Sequence, residues 1–393
     1  MATLGMRGTG SFAADHRPQS WREKFLMLKP NGAAPLTAIL SMLPSEATTD
    51  PQYNNFRKDM PNFTAVADGS ALPSPAASGT TLTVTSATDA GYIKIGSLLR
   101  NFRTGEVVKV TAKPSSTSFT VTRGVGNSGT GVSVIANDVF LLIGDANAEG
   151  ATAPESVSWD AASVYNYTQI FREPVKLTRT ATKTEFRTGD QYTEKLQDAL
   201  EMHMLKMERA FLFGKRDSIT GSNGQPERYT GGIISFLSTN VLDVSGSSGV
   251  MSERTFDTWL AQYAFAYGSS DKLLLAGWKV ADLLNQIGKA RWTIDAVSPG
   301  DSYGVSFTRY VTPFGNLMVK THPQFRQISG AEGMGLLLDT ADLRYRYIDD
   351  TTLLKDRQTN DTDGVMDEYL TEAGLEMLQE KTHGLITGWS ALA

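Results

Sequence analysis

The strongest local signal in the chain is one long amphipathic helix. Thr188-Gly189-Asp190-Gln191 forms a capping-box start, and Tyr192, Leu196, Leu200, His203, Met207 and Phe211 follow as one apolar stripe at helical spacing. Gly214 stands where a C′ glycine would end it. At about 1.5 Å per residue the helix is roughly 35 Å long, more than a small domain needs. The 393-residue chain is long enough to hold two or three compact units around it.

On the N-terminal side, residues 1–62 read as an arm with two short helical patterns between proline and polar breaks. Ser20-Trp21-Arg22-Glu23 is a capping box, and Trp21, Phe25 and Leu28 share one face before Pro30. Leu36, Ile39, Leu40 and Leu43 form a second stripe between Pro35 and Pro44. Isolated helices this short are marginal in water, so each stripe needs a surface to lie on. That surface is either the chain's own body or a neighbouring chain.

Between Gly79 and Ile143 the period changes to two. Leu82 to Val84, Glu106 to Val110, Phe119 to Thr122 and Val139 to Ile143 are strand-like runs separated by Gly, Pro and Ser turns. They predict a small barrel or sandwich, inserted through two stems rich in Ala, Gly, Pro and Ser, Asp68 to Ser78 and Asp145 to Ser158. After the long helix the pattern becomes mixed. Phe256, Trp259, Leu260, Tyr263 and Tyr267 predict a helical face, Lys272 to Ala276 a strand, Val280 to Ile287 a helix and Leu336 to Leu338 a buried strand. From Tyr345 onward the chain reads as extended, charged segments ending in Leu375 to Ile386. The expected class is therefore α+β.

Composition removes several chemistries. The chain has no Cys and only four His, so thiolate zinc sites, disulfides and thiol nucleophiles are excluded and His-rich metal centres are not expected. His203 on the helical stripe is expected to be a packed histidine. Gly124-Val125-Gly126-Asn127-Ser128-Gly129 matches a dinucleotide fingerprint, but the β-branched run Val132 to Ile135 stands where the helix should begin, so a turn is expected. The acidic set Asp356, Asp361, Asp363, Asp367 and Glu368 fails calcium-loop spacing and is expected to be a solvated turn. No Gly-x-Ser-x-Gly elbow exists. Neither an enzyme nor a bound cofactor or metal is expected.

The formal net charge of −5 argues against a basic footprint over the whole molecule. Local basic clusters remain: Arg172, Lys176, Arg179, Lys183 and Arg187 in a strand-like segment, and Lys206, Arg209, Lys215 and Arg216 towards the end of the long helix. Aromatic interleaving is lacking, so nucleic-acid contact through them would be of the weak, phosphate type. No apolar stretch reaches membrane-span length and no signal-peptide core is seen, which predicts a soluble, unsecreted product.

The order of arm, two-stemmed β excursion, long helix, mixed middle and β return resembles the tailed-phage major capsid proteins of the Hong Kong 97-like fold. Several strings carry the likeness: Thr104-Gly105-Glu106-Val107, Tyr165-Asn166-Tyr167-Thr168-Gln169-Ile170-Phe171, Glu208-Arg209-Ala210-Phe211-Leu212-Phe213-Gly214-Lys215, Thr230-Gly231-Gly232-Ile233, Tyr310-Val311-Thr312-Pro313-Phe314-Gly315 and Asp367-Glu368-Tyr369-Leu370-Thr371-Glu372. The resemblance implies an N-terminal arm (1–62), an extended loop (63–158) with a β-barrel-like insertion (79–143), and a peripheral domain (159–215) with a spine helix (190–213). It further implies an axial domain (216–345) and a C-terminal return to the peripheral domain (346–393).

By that resemblance the chain would assemble with copies of itself into hexamers and pentamers of a virion shell, built in the host cytoplasm around double-stranded DNA. Its partners would be portal, scaffolding and decoration proteins. Trp21, Phe25 and Leu28 are expected to bury against an adjacent subunit. Arg172, Lys176, Arg179, Lys206 and Arg209 are candidates for an inner face towards DNA. Two other readings remain open on sequence: an encapsulin-type compartment with enzyme cargo, and a β-rich carbohydrate-binding surface protein.

Overall fold

Asp190 begins the long helix by accepting hydrogen bonds from Tyr192 N at 3.1 Å and Thr193 N at 3.4 Å, and the helix runs over Gln191–Phe213. In the computed structural model, residues 36, 44–61, 63–69, 80–127, 133–186, 189–288 and 308–393 are described. They divide into a larger unit, Met1–Asn55 with Val164–Ala393, and a β unit, Phe56–Ser163.

The packed row of the helix is Ala199, His203, Met207 and Phe211, while Leu200 of the expected stripe is 37% exposed. Residues four apart form one ridge, and the ridge that meets the sheet is the one containing the small Ala199. The helix stops at Gly214, whose φ of −58° and ψ of 150° are extended, so the glycine is not used for a left-handed turn. Glycine is required there for closeness: a Cβ would stand 2.4 Å from Ala210 O and 2.5 Å from Thr230 O.

This helix lies on one face of a four-stranded sheet ordered Ser45–Ala47, Leu343–Leu354, Gly364–Met377 and Gln169–Thr178. Phe171 meets His203 and Phe211 edge-on at 6.4 and 6.1 Å, and Phe211 meets Tyr345 at 6.3 Å. His203 is a packed histidine: Nε2 lies 2.7 Å from Thr371 Oγ1, and burial lowers its pKa. Strand alternation buries Phe171 and Val175 and exposes Ile170, Arg172, Pro174 and Lys176. Pro174 is tolerated because Gln169–Thr178 is an edge strand.

A six-stranded sheet follows, ordered Val241–Asp243, Gly384–Thr387, Gly335–Leu338, Asp271–Ala276, Asn316–Thr321 and Thr308–Val311. Asp271–Ala276 and Asn316–Thr321 are parallel, and helix Trp278–Gly288 lies between them in the chain. The sheet is buried on both faces, which explains its unbroken leucine runs. Leu273 and Leu275 join the core of Phe171, Met207 and Phe211, whereas Leu274 and Ala276 join a second core with Phe256, Trp259 and Trp389.

Two expectations need correction here. Strand Leu343–Leu354 runs through the expected 345/346 boundary, and after Gly364–Met377 the tail passes into the six-stranded sheet, where Gly384–Thr387 pairs with both Val241–Asp243 and Gly335–Leu338, before Ala391–Leu392 pairs with Val250–Met251. Burial of Trp389 in the second core holds it there. The helical face beginning at Phe256 also breaks: α-helix ends at Trp259, a π turn covers Leu260–Ala264, and Tyr263 and Tyr267 are exposed. Lys272 fixes this irregular segment by donating to Ala264 O, Tyr267 O and Thr382 O at 2.6, 2.8 and 2.6 Å, and burial pushes its pKa down to about 8.

In the β unit, Thr64–Val66, Val139–Asp145, Ser97–Asn101, Val107–Ala112, Ser118–Thr122 and Thr81–Thr83 are neighbours in that order. An Ala67–Val84 bridge, with Thr85 N to Val66 O at 2.9 Å, joins the two ends and closes the sheet on itself. Leu82, Leu99, Val108, Phe119 and Phe140 fill the interior. Val125–Asn127 is a tight turn with Gly126 at φ 69°, as the turn reading requires.

Two buried charged groups complete the unit. Glu106 takes a two-pronged bond from Arg123 at 2.8 and 2.7 Å. Asp138 accepts from Asn101 Nδ2 at 3.0 Å, Ile135 N at 3.0 Å and Arg103 Nε at 2.5 Å. The Arg103 bond is the main reason that the Asp138 pKa falls to about 2.

Two outcomes are expected. Phe171→Ala, which empties the seam between helix and sheet, should cost about 3–5 kcal/mol in denaturant unfolding. Asp138 has a folded pKa below its ordinary 3.8, so its contribution is complete above about pH 4 and is lost as pH falls towards 2. Hydrogen exchange of peptides covering 97–145 should show that loss in the parent, and Asp138→Asn should weaken protection at neutral pH by about 1–3 kcal/mol.

Candidate functional site

With no catalytic cluster expected, the functional question is where the chain holds its arm and where it presents charge. Trp21, Phe25 and Leu28 lie outside the described residues. Leu36 is described, and it is helical and fully buried. Its N–H donates to Glu208 Oε1 of the long helix at 2.9 Å. The same oxygen lies 2.8 Å from His322 Nε2, and both Glu208 and His322 are fully buried.

The His322 tautomer follows from its other nitrogen. Gln324 N donates to His322 Nδ1 at 3.2 Å, so the ring proton sits on Nε2 and points at the carboxylate. His322 thereby caps the short helix Pro323–Gln327, and its ring packs on Phe325 at 4.8 Å. Arg209 Nε adds a bond to Gln324 Oε1 at 2.9 Å. One buried carboxylate thus ties three distant pieces of chain: the segment at Leu36, the long helix and the turn after Asn316–Thr321. Sequence reasoning missed Glu208 and His322. The available signal was a glutamate beside Met207 and Phe211 on the packed side of the helix.

The five basic candidates do not form one surface. Arg172 and Lys176 point to the helix-free side of the four-stranded sheet, while Lys206 and Arg209 belong to the helix packed on the other side. The period of two in the strand forces this separation. Most are also neutralised by neighbours. Arg172 pairs with Glu368 at 2.5 Å and holds its carboxyl below the usual range; Arg179 pairs with Asp363 at 2.7 Å; Lys206 pairs with Glu173. Lys176 is exposed.

The acidic set is corrected as well. Asp367 and Glu368 are buried in strand Gly364–Met377, where Asp367 accepts from the Tyr192 hydroxyl and from Asp356 N at 3.0 Å. The Asp367 bond raises the Tyr192 pKa to about 12. Alternation sends Asp367 towards the helix and Glu368 away from it, so the two carboxylates cannot share a cation. Among the described residues no group of three or more His, Cys, Asp or Glu is placed to hold a metal. No described helix is long and apolar enough to cross a membrane.

Comparison with known proteins closes the question of class. A family model described as the SU10 major capsid protein matches residues 9–390. The major capsid protein of Pseudomonas phage PaMx41 is 28% identical over 340 residues, covering 84% of this chain and 79% of that protein. Among solved structures, the capsid of an empty GTA particle aligns over 97% of each chain at 10% identity with a TM-score of 0.49. The SrpI encapsulin complex of Synechococcus elongatus PCC 7942 aligns over 59% of this chain and 78% of that one, at 11% identity and a TM-score of 0.41. The assignment rests on the family match, which spans nearly the whole chain: this α+β chain belongs to the SU10 major capsid protein family of the Hong Kong 97-like fold and is a structural subunit of a phage head shell.

Proposed function

We propose that copies of this chain form hexamers and pentamers of a head that encloses double-stranded DNA, assembled in the host cytoplasm and closed with portal, scaffolding and decoration proteins. In this reading residues 1–62 are the arm, and residues 63–158 are the extended loop whose β-rich insertion is the closed sheet. Gln191–Phe213 is the spine helix of a peripheral domain that includes the four-stranded sheet. The six-stranded sheet, with the returning strand Gly384–Thr387, is the axial domain.

The observation that carries this reading is the anchoring of Leu36. Its buried N–H sits on Glu208, so the chain before it starts from a fixed point on the long helix. From that point Trp21, Phe25 and Leu28 would reach an adjacent subunit and bury there. Contacts spread over an arm, a β excursion and a body let avidity replace any single strong interface. The helix-free sheet face with Arg172 and Lys176 is the better inner-face candidate, and phosphate contact through it would be weak because Arg172 already serves Glu368.

Negative-stain microscopy of the protein expressed alone tests the reading: uniform shells or capsomers support it, and a dispersed monomer counts against it. Packaged genome, as opposed to enzyme cargo, separates a phage head from a compartment. Glu208→Ala leaves the Leu36 N–H and the His322 Nε2–H without their acceptor in a buried site, at about 1–3 kcal/mol each. Trypsin should then cut before Leu36 at least about tenfold faster, while Glu208→Gln, which keeps one carbonyl oxygen, should lie between.

A further inference from the structure

The outer wall of the closed sheet has two characters. On strands Ser118–Thr122 and Thr81–Thr83 the outward residues are hydroxyl-bearing, as at Thr120, Thr81 and Thr83. On strands Ser97–Asn101 and Val139–Asp145 apolar residues stand outward around Arg100. Arg100 is paired with Leu141, and Phe102 N bonds Val139 O at 3.0 Å, so Phe102, Val139 and Leu141 stand beside the exposed Arg100, and Ile143 follows at the bulge where the register shifts. Phe102 is 65% and Ile143 48% exposed. Exposed apolar residues gathered beside polar groups mark interaction surfaces.

A second feature has the opposite charge and the same need. Directly after the long helix, Asp217–Thr220 and Pro226–Tyr229 form a two-stranded hairpin that belongs to no larger sheet. Its register places Asp217, Ile219, Glu227 and Tyr229 on one face, and Ile219 is 45% exposed. Tyr229 donates its hydroxyl to Glu227 Oε1 at 2.6 Å, which fixes the ring beside the carboxylate. An isolated two-stranded hairpin is marginal in water and gains stability from a third surface. This face is apolar at its centre and carries two carboxylates.

We propose that the Phe102–Ile143 wall of one copy receives the Asp217–Tyr229 hairpin of a second copy. Ile219 and Tyr229 cover the apolar patch, and Asp217 and Glu227 face Arg100. The proposal rests on the shell-subunit reading and names which two surfaces of that subunit meet. Complementary charge sets the register, and apolar area supplies the affinity. The contact is small, so it acts together with the others in a shell and is too weak to hold two free chains.

Charge exchange tests the pairing in the full-length chain. Arg100→Glu, and separately Asp217→Arg with Glu227→Arg, should each raise the protein concentration needed for half-assembly by about tenfold. Combining all three substitutions should restore it. These side chains are exposed, so each variant should keep the parent's thermal midpoint. The chain has no Cys, so Phe102→Cys combined with Ile219→Cys gives a clean second readout. A short bis-maleimide should produce a ladder of linked chains from the double variant and none from either single one. Shells that form normally with Arg100→Glu, that are not rescued by the exchange, or that yield only unlinked or internally linked monomer overturn the pairing and leave the shell reading standing. A parent chain that never assembles removes both.

Discussion

Everything in the larger unit depends on the seam between the long helix and the four-stranded sheet. Phe171, His203, Phe211 and Tyr345 meet there edge to face, and the same core continues into Leu273, Leu275 and Leu336 of the second sheet. In a folded protein most of a helix's stability comes from packing of its apolar face, and this seam supplies that packing. The two sheets are therefore not independent modules that happen to be linked; they share one apolar interior with the helix as its wall.

Among the described residues, the charged groups at the centre of the buried networks are engaged. Glu208 serves Leu36 and His322, Lys272 serves three carbonyls, and in the β unit Asp138 and Glu106 each hold an arginine. Leaving any such group unmet in a buried site is costly, so each network fixes one arrangement of the segments it joins. These segments are the irregular ones: an arm residue, a π turn and the turns between strands. Regular helix and sheet satisfy their own backbone, and the buried side chains are spent where the backbone cannot.

Much of the architecture was legible because it has a period. Alternation located the strands at Leu82, Val108, Phe119 and Phe140, and the capping box located Asp190. Single-period signals also misled where two readings share a spacing. Leu200 lies beside Ala199 on adjacent ridges, and only the partner surface selects between them. The two basic clusters were expected to share one inner face, yet a strand and the helix packed on it place Arg172 and Lys176 on one side of a sheet and Lys206 and Arg209 on the other. Asp367 and Glu368 looked solvated by charge, yet both are buried, each bonded to a side chain far away in the chain, Tyr192 and Arg172 respectively.

The sequence by itself determined the α+β class, the long helix, the β-rich excursion and the absence of thiol chemistry, because these follow from local periodicity and composition. Only the tertiary structure decided that the excursion closes on itself through Ala67 and Val84, that the tail returns to the six-stranded sheet, and that Glu208 anchors Leu36. Each of those is a contact between residues far apart in the chain. Such contacts are set by which buried surfaces and polar groups can satisfy one another at once, and no window of sequence contains both partners.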